Sequence, residues 1–446
     1  MNKVTTKSAA VFVSNPVGVY SGGRYYALML TEALAEIGVE TYYVTNNLPI
    51  FWGDMQTYKA HQKINKVIGF DSAAAVLPKH IDYTFIVPGT SEPSFYDDAI
   101  NFGISRSSKI ALVNFESGNW FNKYAQIKKP VEFWNDWKKV ASASSLILSI
   151  SNEGNMFARG FYDDAFDGAL FDFCYPPINT HAADVMGQHN RENRVLLLAR
   201  FHDAQHKGGD KVAKILNEGL SGWKLGIIVG TGKVPEATRA AFEGKAKKYN
   251  IELEWFYKIS DEEKFHLYKT SKMLLFPSYF EGFGYPPIEA RYCGCKVVAF
   301  ELPVLKETCG DDIVFAKHGD WSDFSAKVSE VLTQSDFSVS GERLNSVAPF
   351  TEMALKLQSI LSKLDTITAQ YSNYLSTSSS KKAFKLKDKL FGFGERSIVS
   401  IAKTLRRRIS GKSKQITYFP KFQNQDDLDN HYYRAAWYFP HKKDLI

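Results

Sequence analysis

The sequence predicts a two-domain α/β protein, each domain a parallel sheet wound with helices on both faces in the Rossmann manner, with a basic and aromatic C-terminal extension. Three observations carry this expectation. Short apolar runs of strand length alternate with amphipathic stretches of helix length from Ala9 to about residue 181. The same alternation restarts after a Pro-containing stretch, Phe173–Asn179, and a polar segment, Gly187–Asn193, which together form the candidate hinge. At 446 residues the chain is also too long for one ordinary core. The expected division is 1–181, 182–375 and 376–446.

In chain order, Ala9–Ser14 is a first strand and Asn15–Gly23 a glycine-containing loop. Arg24–Gly38 is a helix, because Ala27, Leu30, Leu34 and Ile37 recur at three and four residues and Gly38 supplies a stop. Glu40–Thr45, Tyr83–Val87, Lys109–Asn114 and Ser145–Ile150 are further strands. After the hinge come strand Arg194–Ala199, helix Gly209–Gly219, strand Lys224–Val229 and helix Pro235–Tyr249. Strand Ile251–Phe256 leads to a helix opened by Ser260 and Glu263 at capping-box spacing. Strands Lys272–Pro277 and Lys296–Phe300 flank a helix from near Pro286 to Cys293–Gly294. Trp321–Leu332 and Thr351–Leu364 are the last amphipathic stretches, and Ser376–Ser380 ends the pattern.

Composition narrows the class. Hydrophobic residues at 44% and charged residues at 23% are those of a folded protein, while 14% aromatic is rich enough to suggest ring-binding surfaces. The apolar stretch Ala9–Val13 is too short for a signal-peptide core, and no run has the roughly 18 to 20 apolar residues that cross a bilayer. The expectation is a cytoplasmic protein whose membrane contact, if any, is peripheral. Cys174, Cys293, Cys295 and Cys309 form no CxxC pair and read as reduced thiols.

The net charge of +7 is uneven: Ser378–Lys414 holds twelve Lys or Arg against Asp388 and Glu395, which is +10 and leaves −3 for the rest. A nucleic-acid partner is therefore not expected of the folded body. In the tail, Ile398, Ile401, Ala402, Leu405 and Ile409 share one helical face with Lys403 and Arg406–Arg408 interleaved. That pattern suits an in-plane helix on an anionic membrane surface, placed within 381–414, or alternatively a solvated or partner-binding tail. Tyr418–Ile446 is aromatic and has no assigned role.

The chemistry concentrates in Phe276–Ala290, which runs from a strand end through a glycine loop into a helix with prolines in its first turn. Gly282 and Gly284 allow close backbone approach, and a helix start favours an anion such as a diphosphate. Glu281 and Glu289 flank it, and a carboxylate accepts hydrogen bonds from vicinal hydroxyls. A phosphate cradle between two hydroxyl acceptors has the shape of a site for a nucleotide sugar.

This stretch resembles the Glu-x7-Glu signature of the retaining GT-B glycosyltransferases of family 4, the group 1 glycosyl transferases. The similarity continues in register through Ala290, Cys293-Gly294, Val297-Val298 and Leu305-Lys-Glu307 to Gly310-Asp311. It extends upstream to Arg194–Gly208, where Arg200 ends a strand and Lys207-Gly208 opens the next helix, and to the glycine turn of Gly226–Gly232. The resemblance implies a GT-B architecture and a donor diphosphate held by Arg200, Lys207 and the Gly282, Phe283 and Gly284 segment. It further implies that Glu281 orients the donor sugar, that Glu289 holds the ribose, and that Ser21-Gly22-Gly23 closes over the phosphates. Lys258 lies in the region that holds the base. Tyr175-Pro-Pro-Ile-Asn179 is similar to a hinge pattern of mannosyl- and rhamnosyl-type members.

One departure stands out. The family's N-domain histidine has no counterpart, since the chain reads Asn114-Phe-Glu-Ser117 there, and Glu116 is a candidate for a polar role. His202 and His206 are candidates for assisting the diphosphate. The expected reaction is transfer with retention from a UDP- or GDP-sugar to a glycan or lipid-linked acceptor of surface polysaccharide or lipopolysaccharide assembly, with no cofactor or metal. A catalytically silent glycosyltransferase-like subunit and a GT-B nucleotide-sugar epimerase are the alternatives.

Overall fold

The computed structural model describes residues 6–16, 21–49, 51–52, 64–89, 93–163, 165, 167–178, 181–187, 189–201, 205–230, 233–333, 349–376 and 418–419. The basic segment 381–414, His202, Asn179 and the Thr231–Gly232 end of the second glycine turn lie outside them.

The first domain runs β1 (Ser8–Val13), α1 (Gly22–Glu36), β2 (Glu40–Thr45), β3 (Asn65–Ile68), α2 (Phe70–Val76), β4 (Tyr83–Val87) and α3 (Pro93–Ser105). It continues with β5 (Lys109–Asn114), α4 (Gly118–Tyr124), α5 (Asn135–Ser142), β6 (Leu146–Ser149), α6 (Asn152–Arg159) and β7 (Leu170–Phe173). These strands form a parallel sheet in the order β3-β2-β1-β4-β5-β6-β7. Every residue of β1, β4 and β6 is buried, which is why they read as continuous apolar runs rather than alternations.

The second domain runs α7 (His181–Val185), β8 (Glu192–Ala199), β9 (Lys224–Val229), α8 (Glu236–Tyr249), β10 (Glu252–Tyr257), α9 (Asp261–Thr270) and β11 (Ser271–Phe276). It closes with α10 (Tyr285–Tyr292), β12 (Lys296–Phe300), α11 (Pro303–Cys309), β13 (Val314–Ala316) and α12 (Trp321–Thr333). Its sheet is parallel in the order β10-β9-β8-β11-β12-β13. In the two sheets the winding reverses beside β1 and beside β8, so the loops after these strands leave from the switch points where open α/β sheets bind ligands.

Several elements follow the sequence closely. Ser260 Oγ accepts the Glu263 amide at 3.1 Å and the Ser260 amide donates to Glu263 Oε2 at 2.7 Å, completing the expected capping box of α9. Helix α1 ends at Glu36, and Gly38 takes φ +85°. The expected helix at Gly209–Gly219 is instead two 3₁₀ turns, Gly209–Ile215 and Glu218–Leu220. Asn217, in an extended conformation, accepts the Gly219 amide at 2.9 Å and so starts a new turn where an α-helix would have continued.

The chain then returns to the first domain. Helix α13 (Phe350–Asp365) lays Met353, Ala354, Leu357, Ile360, Leu361 and Leu364 on the first-domain core beside α1, and α14 (Ser372–Ser376) packs near α5. Each fully buried aliphatic chain on such a face contributes about 1.5–3 kcal/mol. Polar contacts fix the register: Tyr83 donates to Asp365 at 2.7 Å, Lys356 and Lys363 pair with Asp172 at 2.9 and 3.0 Å, and Tyr371 donates to the Ser108 carbonyl. The sequence division at 375 groups these helices with the second domain, whereas their packed face lies on the first. Tyr418–Phe419 adds a short antiparallel strand, β14, at the β3 edge.

Candidate active site between the two glycine loops

The β11–α10 loop is built around glycine. Gly284 takes φ +97°, and a Cβ there would stand 2.4 Å from Leu305 Cδ2. A Cβ on Gly282 would stand 2.6 Å from the carbonyl oxygen of Phe115, the residue after β5. The loop of the second domain therefore lies directly on backbone of the first. Among the described residues, the Gly282, Phe283 and Gly284 amides donate to no protein acceptor. They, rather than the first turn of α10, are the amides open to an anion, because Pro286 and Pro287 occupy that turn and carry no N–H. Phe283 is itself buried against Tyr175 and Tyr285, so its side chain is structural.

Glu281 receives a hydrogen bond from Lys207 Nζ at 2.6 Å, with the two side chains 10% and 19% exposed. Lys207 is delivered from the loop after β8 by Gly208, at φ +66°, where a Cβ would lie 2.3 Å from the Pro277 carbonyl oxygen. Burial pushes the Lys207 ammonium below the ordinary lysine value; Glu281 opposes this and Arg200 adds to it. Arg200 stands at the end of β8 with its stem against Gly230, where a Cβ would lie 3.1 Å from Arg200 Cγ. Among the described residues no carboxylate pairs with it.

Glu289 is 6% exposed, and burial raises its carboxyl above the usual range, partly opposed by Lys264. Lys264 Nζ donates to Glu289 Oε1 at 3.0 Å and also pairs with Asp261 at 2.9 Å, while Tyr268 Oη donates to Glu289 Oε2 at 3.5 Å. Lys264 is a partner of Glu289 that the sequence did not reveal. Its charge lies twenty-five residues away on a different helix.

From the first domain, Gly22 faces the Tyr285 ring and Gly23 the Phe115 ring, each with 3.1 Å to a would-be Cβ. Ser21 caps α1 by accepting the Arg24 amide at 3.3 Å. The two glycine segments are thus opposed, and the Tyr25 and Tyr285 rings meet edge to face at 5.7 Å. The loop and the Arg200, Lys207 and Glu281 group are brought together.

Other candidates fare differently. His206 is packed beside Phe121, and burial, with Lys207, Lys129 and Arg200 nearby, pushes its pKa down to about 2; it is neutral and adds no cation for a diphosphate. Asn114 is buried in a hydrogen-bond network, accepting from Tyr162 at 2.9 Å and donating to Ser149 Oγ at 3.0 Å. Glu116 pairs with Lys129 at 2.8 Å, and Lys129 sits 4.1 Å from each of the Phe121 and Phe133 ring centroids. Lys258 is exposed after β10 at φ +52° and joins none of these groups.

A cross-domain contact also emerges. Glu307 on α11 accepts the Asn152 amide at 2.7 Å and the Glu153 amide at 2.8 Å, seating a carboxylate at the start of α6. Tyr175 Oη in the hinge donates to the same carboxylate at 2.7 Å.

Comparison with known proteins shows what the chain is similar to. The family model described as glycosyl transferases group 1 matches residues 187–344. An 80-residue stretch is 35% identical to the serotype-specific mannosyltransferase WbdA of Escherichia coli, covering 18% of this chain and 10% of that protein. The match thus spans about a tenth of the length of that curated relative. Sucrose-phosphate synthase from Thermosynechococcus elongatus superposes with TM-score 0.58 at 16% identity, covering 81% of this chain and 99% of the other. HepE of Anabaena, solved with UDP and glucose, superposes with TM-score 0.57 at 10% identity, covering 80% and 100%. The fold is that of the GT-B glycosyltransferases, and over residues 187–344 the chain is similar to the glycosyl transferases group 1 family.

Proposed function

We propose that the protein is a retaining hexosyltransferase that moves a sugar from a UDP- or GDP-sugar to a glycan or lipid-linked acceptor in cell-surface polysaccharide or lipopolysaccharide assembly. The observation that carries this reading is the Lys207–Glu281 pair set beside the three free amides of Gly282–Gly284. The mannosyltransferase relative makes mannose the first hexose to try.

In this reading the bond from the anomeric carbon to the β-phosphate oxygen breaks while the acceptor oxygen bonds to the same face of that carbon. The acceptor's proton passes to the departing phosphate. Arg200, Lys207 and the loop amides take up the charge that develops on the leaving group, which supplies the cationic stabilisation without a metal. Glu281 is held by Lys207 and so serves as a hydroxyl acceptor for the donor sugar rather than as a nucleophile. Glu289, across the cradle, receives the ribose hydroxyls in exchange for part of its bond with Lys264. A cytoplasmic location and a peripheral membrane contact through 381–414 belong to the same proposal. Among the described residues no helix is long and apolar enough to cross a membrane.

The test is to incubate the protein with UDP- and GDP-hexoses and a lipid-linked glycan fraction, following nucleoside-diphosphate release and the product's anomeric proton by NMR. Release with the donor's anomeric configuration kept supports the reading. An inverted product, or no release from any donor, overturns it.

A further inference from the structure

Arg24 opens α1, where the helix dipole is positive and a cation is least favoured. Its guanidinium donates to three neutral groups: Nε to the Ser14 carbonyl at 2.8 Å, Nη1 to Ser21 Oγ at 3.0 Å, and Nη2 to the Gly89 carbonyl at 3.0 Å. Two of the five guanidinium N–H groups are left over. Among the described residues no carboxylate pairs with it. The three acceptors lie after β1, before α1 and after β4, so the fork is fixed at the cleft end of the first sheet.

The charge around it is unbalanced. Arg200 of the second domain is close enough that its charge adds to burial in depressing the Arg24 value. Among the described residues, Arg24, Lys129, Arg200 and Lys207 gather here with Glu116 and Glu281, and each of these carboxylates is already held by a lysine, as Glu289 farther along the cleft is held by Lys264. The two arginines are the unmatched pair, one from each domain, and an anion between them removes their repulsion.

We propose that Arg24 is the first domain's contact to a phosphate oxyanion bound in the cleft, opposite Arg200 and Lys207, so that binding this anion draws the two domains together. The inference rests on the donor-site reading given above. A planar fork with two free donors fits a phosphate better than a single hydroxyl. The oxyanion has two sources, the β-phosphate of the donor or a phosphate on a lipid-linked acceptor.

The experiment titrates wild type, Arg24→Gln and Arg24→Lys with UDP, GDP, UMP and GMP by calorimetry, and measures melting temperatures and the KM for lipid-linked acceptor. For a β-phosphate contact, Arg24→Gln weakens the preferred diphosphate by about 10- to 100-fold, as expected for a charge-assisted hydrogen bond, and leaves the monophosphate within about threefold. Arg24→Lys falls between the two. Unchanged diphosphate affinity with a raised acceptor KM assigns the oxyanion to the acceptor. Equal loss for di- and monophosphates with a lowered melting temperature shows a loop staple only and overturns the proposal, as does no change in any parameter. A wild type that binds no nucleoside diphosphate overturns the functional reading instead, and this inference with it.

Discussion

Replacing Gly282 by alanine separates a purely local effect from a cross-domain one. The added methyl would lie 2.6 Å from the Phe115 carbonyl oxygen, about 0.8 Å inside the 3.4 Å at which ordinary contact begins. Gly282 does not have a positive φ, so its own loop accepts alanine without backbone strain, and the conflict falls on the other domain. Phe115 follows β5, a buried strand paired on both sides, and cannot retreat alone. The domains must therefore part by a large fraction of an ångström at the Gly282–Phe115 contact, beside the proposed donor site. A misplacement of this order costs about 100-fold in turnover, while a one-methyl overpacking costs about 1–3 kcal/mol if it is absorbed as strain. The assay is kcat and KM for the donor, beside the radius of gyration of the nucleotide-bound protein by small-angle scattering. A Gly282→Ala variant with wild-type kcat and unchanged scattering would refute the packing argument.

Further predictions concern the charges around this centre. Burial raises Glu289 above its ordinary 4.5, so the native state holds that proton more tightly than the unfolded chain, and its contribution to stability falls as pH rises from 4.5 through the raised value. Glu289→Gln lacks this decline and leaves Lys264 with Asp261; its melting temperature gains on wild type between acid and neutral pH. Its nucleotide affinity nonetheless drops about tenfold or more, and parallel melting curves across pH would contradict this account. Glu307→Ala removes the acceptor for two α6 amides and the Tyr175 hydroxyl, so it should expand the ligand-free protein in scattering and lower kcat/KM by about tenfold. An unexpanded variant of normal activity would show that the contact does not hold the cleft.

What the sequence reveals here is what is written locally. The Ser260–Glu263 capping box, the Gly38 stop and the glycine loop between Glu281 and Glu289 are short-range patterns, and each is found where its spacing places it. The return of α13 to the first domain is not legible, because its apolar face Met353–Leu364 would suit either sheet and first-domain polar partners such as Lys7, Lys109, Tyr83 and Asp172 fix its place. The prolines of α10 mark a helix start in the sequence, yet the same prolines remove the amides that such a start is expected to offer. Partners escape for a related reason: Lys264, Lys129 and Glu307 look like surface charges until the fold sets them beside Glu289, Glu116 and α6. His206 shows the converse, a residue read as a candidate for assisting the diphosphate whose imidazole burial disfavours as a cation.

The central claim is that Arg200 and Glu289 hold a nucleoside diphosphate from opposite sides of the Gly282–Gly284 cradle. Its most direct test is calorimetric titration of wild type, Arg200→Ala and Glu289→Ala with UDP, GDP and their sugar conjugates. The account predicts that wild type selects one nucleotide and that each substitution weakens it by about tenfold or more. Binding of equal strength in all three proteins, or no binding to wild type even with acceptor glycans present, would contradict it.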